Sequence, residues 1–129
     1  MTLRIYIEEG IQKEEDVIFT ISDLKGLETI HPMERMITDS TENNFVYLID
    51  GESQFNQLHF AEQTWPLLET VLQTKRDPYV VIGEETIQLP NFVEELAMLI
   101  ENIEGNDNYG AQFVQAVETT FANVLQLIE

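Results

Sequence analysis

Phe45-Val46-Tyr47-Leu48-Ile49-Asp50-Gly51, followed after residues 52–54 by Phe55-Asn56-Gln57-Leu58-His59-Phe60, is the stretch on which the fold turns. Five consecutive apolar residues, all but Leu48 aromatic or β-branched, read as a central strand buried on both faces. Asp50-Gly51 then signals a tight hairpin, with residues 55–60 as the return strand. A three-residue loop with Gly51 in the left-handed conformation is the expected connection. It sets Val46 and Leu48 on the face of Leu58 and Phe60, and Phe45, Tyr47 and Ile49 with Phe55. A loop of even length would instead set apolar residues opposite Gln54 and Asn56.

Upstream, Leu3, Ile5 and Ile7 alternate with polar neighbours as in a half-buried strand, and Glu8-Glu9-Gly10 breaks the run. Residues 17–21 form a second β-rich run, so a hairpin between 3–7 and 17–21 is expected, with Glu14-Glu15-Asp16 exposed. Lys25-Gly26 marks a turn, His31-Pro32 an extended segment, and residues 35–38 a short strand. Downstream, Trp65, Leu68 and Leu72 share a helical stripe over about 62–75, with Thr64 as a candidate cap and Pro66 tolerated in the first turn. Lys75 and Arg76 suit its C-terminal end, and Asp77-Pro78 stops it. Residues 79–82 and 86–89 form another hairpin. Asn91 opens a second helix with Phe92, Leu96 and Ile103 inward, and Gly105 closes it. A last helix runs from about 109 to 127 on Phe113, Val117, Phe121 and Val124. The predicted class is α+β: an antiparallel sheet built from hairpins with three helices, two of them C-terminal, in a single domain over residues 1–129.

The 129 residues carry 24 acidic and 6 basic side chains, a formal charge of −18. Residues 77–129 contain no Lys or Arg at all. Such a chain repels phosphate and anionic lipid, which argues against direct nucleic-acid or membrane-surface binding. There is no Cys, hence no disulfide, thiolate nucleophile or thiolate metal site. No apolar run approaches the ~18 residues of a membrane span, and the first residues lack the pattern of a signal peptide. A cytoplasmic protein is expected.

Recognisable catalytic patterns are missing. His31 and His59 are the only imidazoles, no Ser sits in a Gly-x-Ser-x-Gly elbow, and neither a phosphate loop nor a dinucleotide fingerprint occurs. Neighbouring glutamates such as Glu94-Glu95 do not face one another, and His59 on its strand reads as structural. Attention falls on the joint Glu101-Asn102-Ile103-Glu104-Gly105-Asn106-Asp107-Asn108-Tyr109-Gly110. Glu101, Glu104, Asn106, Asp107 and Asn108 gather hard oxygen donors, with Tyr109 as an aromatic anchor. The spacing departs from an EF-hand loop, because Tyr109 stands where glycine belongs and no glutamate follows at position twelve. Gly105 and the Asp107-Asn108 pair fit a capped helix–loop–helix joint, yet Glu101 and Glu104 lie at the unfavourable end of a helix dipole.

This joint and the valine- and phenylalanine-bearing helix after it, together with Lys25-Gly26-Leu27, Asp39-Ser40 and the 45–49 strand leading to Glu52-Ser53, resemble the YjbL-like proteins of Bacillus-type Gram-positive bacteria. The resemblance implies a small cytosolic bacterial protein. It transfers no activity, cofactor or catalytic residue. The expectation is therefore a non-catalytic interaction or regulatory module, without cofactor, that docks a basic partner surface through Glu101, Glu104, Asn106, Asp107, Asn108 and Tyr109. The alternative is a weak divalent-cation or small-ligand binder at the same residues, a degenerate enzyme included. No oligomeric state follows from the sequence.

Overall fold

The computed structural model describes residues 2–50 and 55–128, the side chains of 126–128 excepted. Eight strands run in chain order: β1 (Arg4–Ile7), β2 (Glu9–Lys13), β3 (Asp16–Thr20), β4 (Pro32–Asp39), β5 (Asn44–Ile49), β6 (Asn56–Phe60), β7 (Tyr79–Ile82) and β8 (Glu85–Gln88). The helices are α1 (Trp65–Thr74), α2 (Phe92–Ile103), α3 (Ala111–Thr120) and α4 (Ala122–Ile128). The expected last helix is thus bent in two at Phe121, whose φ of −103° and ψ of 18° leave the helical region. The bend keeps Phe121, Val124 and Leu125 all buried.

The α+β class holds, with the strands divided between two four-stranded mixed sheets. One has the order β1-β6-β5-β4 and the other β2-β3-β7-β8. Each contains one parallel pair, β1 with β6 and β3 with β7, where only hairpins were expected. The first expected hairpin is accordingly replaced. Glu9 and Gly10, read as part of a break, begin β2, and β2 is the strand that turns back onto β3. β1 leaves for the other sheet, where Ile5 and Ile7 stand beside Leu58 and Phe60. Gly10 shows why β2 fits against β3. A Cβ there would stand 2.7 Å from Phe19 and 2.9 Å from Leu67 of α1, so only glycine lets the helix settle on this strand.

The central hairpin has the even register, contrary to expectation. Phe45 pairs with Phe60, Tyr47 with Leu58 and Ile49 with Asn56. The expected left-handed Gly51 lies outside the described residues. The anticipated cost of the even register, a buried asparagine opposite Ile49, is met by a hydrogen bond. Asn56 Oδ1 accepts from the Leu3 backbone N–H at 3.0 Å, which also ties down the start of β1. In return Phe45, Tyr47, Ile49, Leu58, Phe60, Ile5 and Ile7 share one face and are all buried.

That face meets the helices through aromatic contacts. Phe45 packs on Trp65, Phe113 and Phe121, and Phe60 and Tyr47 pack on Phe92. From the second sheet Phe19 reaches Phe60 edge-on, so both sheets feed one core. α1 lies against β3 and α2 against β4. Asn91 precedes α2 as expected, but in the left-handed conformation and without capping it through its side chain. The cap is Asp77, which accepts from the backbone N–H groups of Asn91 at 3.2 Å and Val93 at 2.9 Å. Thr64 likewise makes no capping bond to α1; its hydroxyl donates to the Ala61 carbonyl.

Candidate functional site

The even register turns Asn44, Val46, Leu48, Gln57 and His59 to the outer face of the first sheet. There β1 contributes Tyr6 directly beside His59, and β4 contributes Asp39 opposite Asn44. The turn from β4 to β5 holds Glu42 over them. Four strands and one turn therefore deliver Tyr6, Asp39, Glu42, Asn44, Gln57 and His59 to one spot.

His59 is 0% exposed, and both ring nitrogens have partners. Nε2 stands 2.8 Å from Gln57 Oε1, and Nδ1 stands 3.0 Å from Asn44 Nδ2. An amide NH₂ can only donate and a carbonyl can only accept, so with the Asn44 and Gln57 amides oriented in this way the ring carries its proton on Nε2 and presents a lone pair at Nδ1. Glu42 Oε2 lies 3.8 Å from that lone pair. Tyr6 covers the ring, with centroids 5.0 Å apart, and its hydroxyl donates to Glu42 at 3.2 Å. Asp39 Oδ1 accepts from the N–H groups of Thr41 and Glu42, which orders the turn. Burial depresses the imidazole pKa; the charges of Glu42 and Asp39 oppose that shift, and Arg4 adds to it. At neutral pH this is a neutral histidine beside two carboxylates. Among the described residues, Asp39, Glu42 and His59 are the one group of three or more such side chains whose donor atoms converge, all within 4.8 Å of one another.

The joint singled out in the sequence lies elsewhere. α2 ends at Ile103, and Gly105 follows with φ of 67°, the left-handed turn expected of it. Its N–H donates to Glu118 at 2.8 Å. Asn106 is the local organiser: its Oδ1 caps Asn108 N–H and its Nδ2 donates to the Asn102 carbonyl. Asp107, Asn108 and Tyr109 form a 3₁₀ turn, and the half-buried Tyr109 ring leans on Phe113. Glu101, Glu104, Asp107 and Asn108 are exposed. The carboxylates of Glu101, Glu104 and Asp107 do not converge as a three-ligand group. Glu101 instead belongs with the outer stripe of α2, where Glu94, Met98 and Glu101 follow at spacings of four and three and all are exposed, Met98 by 53%. Beside that stripe runs a groove of about 440 Å³ with Leu72, Val93 and Ala97 as its apolar lining and Lys75, Asp77 and Glu94 as charged members.

Sequence reasoning passed over the His59 cluster because its members are scattered from Tyr6 to His59 and only the register brings them together. The available signal was the polar alternation of Gln57 and His59 with Leu58 and Phe60.

Fold and site define a small acidic α+β protein with a buried imidazole beside two carboxylates on one sheet and an acidic, methionine-bearing helix face. The chain belongs to the UPF0738 family, a family of unknown function, whose model matches residues 5–121. A UPF0738 protein of Lysinibacillus sphaericus is 41% identical over 123 residues, covering 95% of this chain and 97% of the relative. A Staphylococcus epidermidis relative is 37% identical over 119 residues, and a Staphylococcus aureus relative 34% over 121, each match covering 92% of this chain and 97% of the relative. No solved structure matches the chain. Among the described residues no helix is long and apolar enough to cross a membrane.

Proposed function

We propose that this protein is a cytoplasmic, non-catalytic binding module of the YjbL-like kind, and that the outer face of α2 docks a basic, partly apolar segment of a partner protein. The observation that carries the reading is the stripe Glu94–Met98–Glu101. An unbranched thioether stands exposed between two carboxylates on a helix that lies wholly within the base-free stretch 77–129. Methionine adapts its shape to an incoming apolar side chain, and flanking carboxylates select lysine or arginine around it. The adjoining apolar groove enlarges the contact. Glu104, Asn106, Asp107, Asn108 and Tyr109 continue the candidate surface past the end of the helix. A binding role rather than catalysis is supported by His59, whose ring is sealed from solvent and hydrogen-bonded at both nitrogens.

The test is an ¹⁵N-resolved NMR titration with a synthetic amphipathic peptide of alternating Lys- and Leu-rich faces. Shifts are expected to concentrate on α2 and the joint after it, with affinity falling as salt rises. The double variant Glu94→Lys/Glu101→Lys is expected to lose binding at least tenfold. Shifts spread evenly over all acidic surfaces, or unchanged affinity in the double variant, rule the reading out.

A further inference from the structure

We propose that Asp39, Glu42 and His59 bind a divalent first-row transition cation of the Zn²⁺ class. The donors are one imidazole nitrogen and two carboxylates. Zn²⁺ bonds of about 2.0–2.2 Å put neighbouring donors roughly 3–4 Å apart. Glu42 Oε2 already stands 3.8 Å from Nδ1, and the whole set lies within 4.8 Å. A small inward movement of the exposed Glu42 carboxylate, carried on a turn, closes the remainder.

The histidine is prepared for this role independently of the acids around it. Gln57 holds the proton on Nε2, so the lone pair on Nδ1 faces the carboxylates. Metal-ligating histidines are oriented in this way by a partner on the other nitrogen. Ligating carboxylates are commonly held by hydrogen bonds, and Tyr6 donates one to Glu42. Asn44 Nδ2 now occupies the lone pair at 3.0 Å; a cation displaces it, and rotation of the amide offers its oxygen as a further donor. The imidazole nitrogen is what selects the class. Ca²⁺ and Mg²⁺ prefer all-oxygen shells, whereas Zn²⁺ takes mixed imidazole and carboxylate sets. The site lies on the first sheet and does not depend on the docking face of α2.

Isothermal titration with ZnCl₂ at neutral pH, in a buffer that does not chelate, tests the assignment. One saturable site per chain is expected, with a rise in melting temperature. Glu42→Gln and Asp39→Asn are each expected to weaken binding at least tenfold, while Glu84→Gln, at an exposed turn residue of the other sheet, leaves it unchanged. Glu42 is a turn residue, and in Asp39→Asn the amide oxygen still accepts from the turn N–H groups, so both variants keep the fold; far-UV circular dichroism verifies that. Long-range ¹H–¹⁵N spectra supply the second readout: Zn²⁺ is expected to shift Nδ1 of His59, with Nε2 remaining protonated. Three results each overturn the proposal: no stoichiometric site, equal affinity in the wild type and both carboxylate variants, or Ca²⁺ bound as tightly as Zn²⁺.

Discussion

Tyr47 shows how much one side chain does in this core. Its ring lies against Phe92, and its hydroxyl donates to the Pro90 carbonyl at 2.8 Å, joining β5 to the segment that opens α2. Burial pushes the phenol pKa well above the ordinary tyrosine value, and the carboxylates of Glu34, Asp77 and Glu95 add to the shift, against a hydrogen bond from the Glu34 backbone. The folded state therefore keeps a proton that the unfolded chain releases above pH ~10, so stability falls as pH rises through that point. Tyr47→Phe is expected to lose about 1 kcal/mol at pH 7 for the missing hydrogen bond, and to lose stability less steeply at alkaline pH. Urea midpoints at pH 7 and pH 10.5 compare the two; an equal alkaline slope in both proteins refutes the assignment. Gly10 is the other residue with no substitute. Gly10→Ala forces Phe19 or Leu67 to move and is expected to cost about 1–3 kcal/mol, read from the same midpoints.

Among the elements, α2 depends on a cap that comes from outside its own sequence neighbourhood. Asp77 stands 14 residues before Asn91, yet one carboxylate satisfies two N–H groups at the positive end of the helix. Asp77→Ala is expected to destabilise the protein by about 1–2 kcal/mol, and Asp77→Asn by less, since the amide oxygen still accepts. If Asp77→Ala leaves the melting temperature unchanged, the capping account fails. The expectation of Asn91 as cap followed a sound local rule. It did not hold because Asn91 adopts φ of 62°, and the hairpin β7–β8 returns the chain so that Asp77 reaches the helix start. The hairpin β5–β6 gives a similar lesson. Its strands were legible from apolar content, but its register goes with β1, which pairs with β6 and is preceded by Leu3, whose N–H satisfies Asn56. Asn56→Ala leaves that part-buried N–H without its acceptor, and a loss of about 1 kcal/mol is expected.

At the scale of the whole molecule, a formal charge of −18 dominates. Repulsion among 24 carboxylates, offset by only 6 bases, opposes compaction, and salt screens it over about 10 Å at 0.1 M. The melting temperature is expected to rise between 10 mM and 0.5 M NaCl. A flat or falling profile in scanning calorimetry shows that repulsion does not limit stability. Some local attraction offsets the excess: Arg76 pairs with Asp16 at 2.8 Å, joining the end of α1 to the start of β3. The fold class, the buried aromatic set and the charge character were readable at this scale because they depend on composition and periodicity. The parallel pairings were not, because β1 and β6 are more than fifty residues apart and nothing local forces them together.

The sequence by itself determined that this chain folds as α+β, that Trp65, Phe45, Phe92 and Phe113 go inside, and that residues 77–129 present acid without base. Those properties follow from side-chain hydrophobicity and local period, which act over a few residues. Only the tertiary structure decided which face of β6 carries His59. A strand's side chains alternate with a period of two, so a slip of one residue sends every one of them to the opposite face. The pairing of β1 with β6 and the Leu3–Asn56 hydrogen bond settled that slip, and with it the meeting of Asp39, Glu42 and His59.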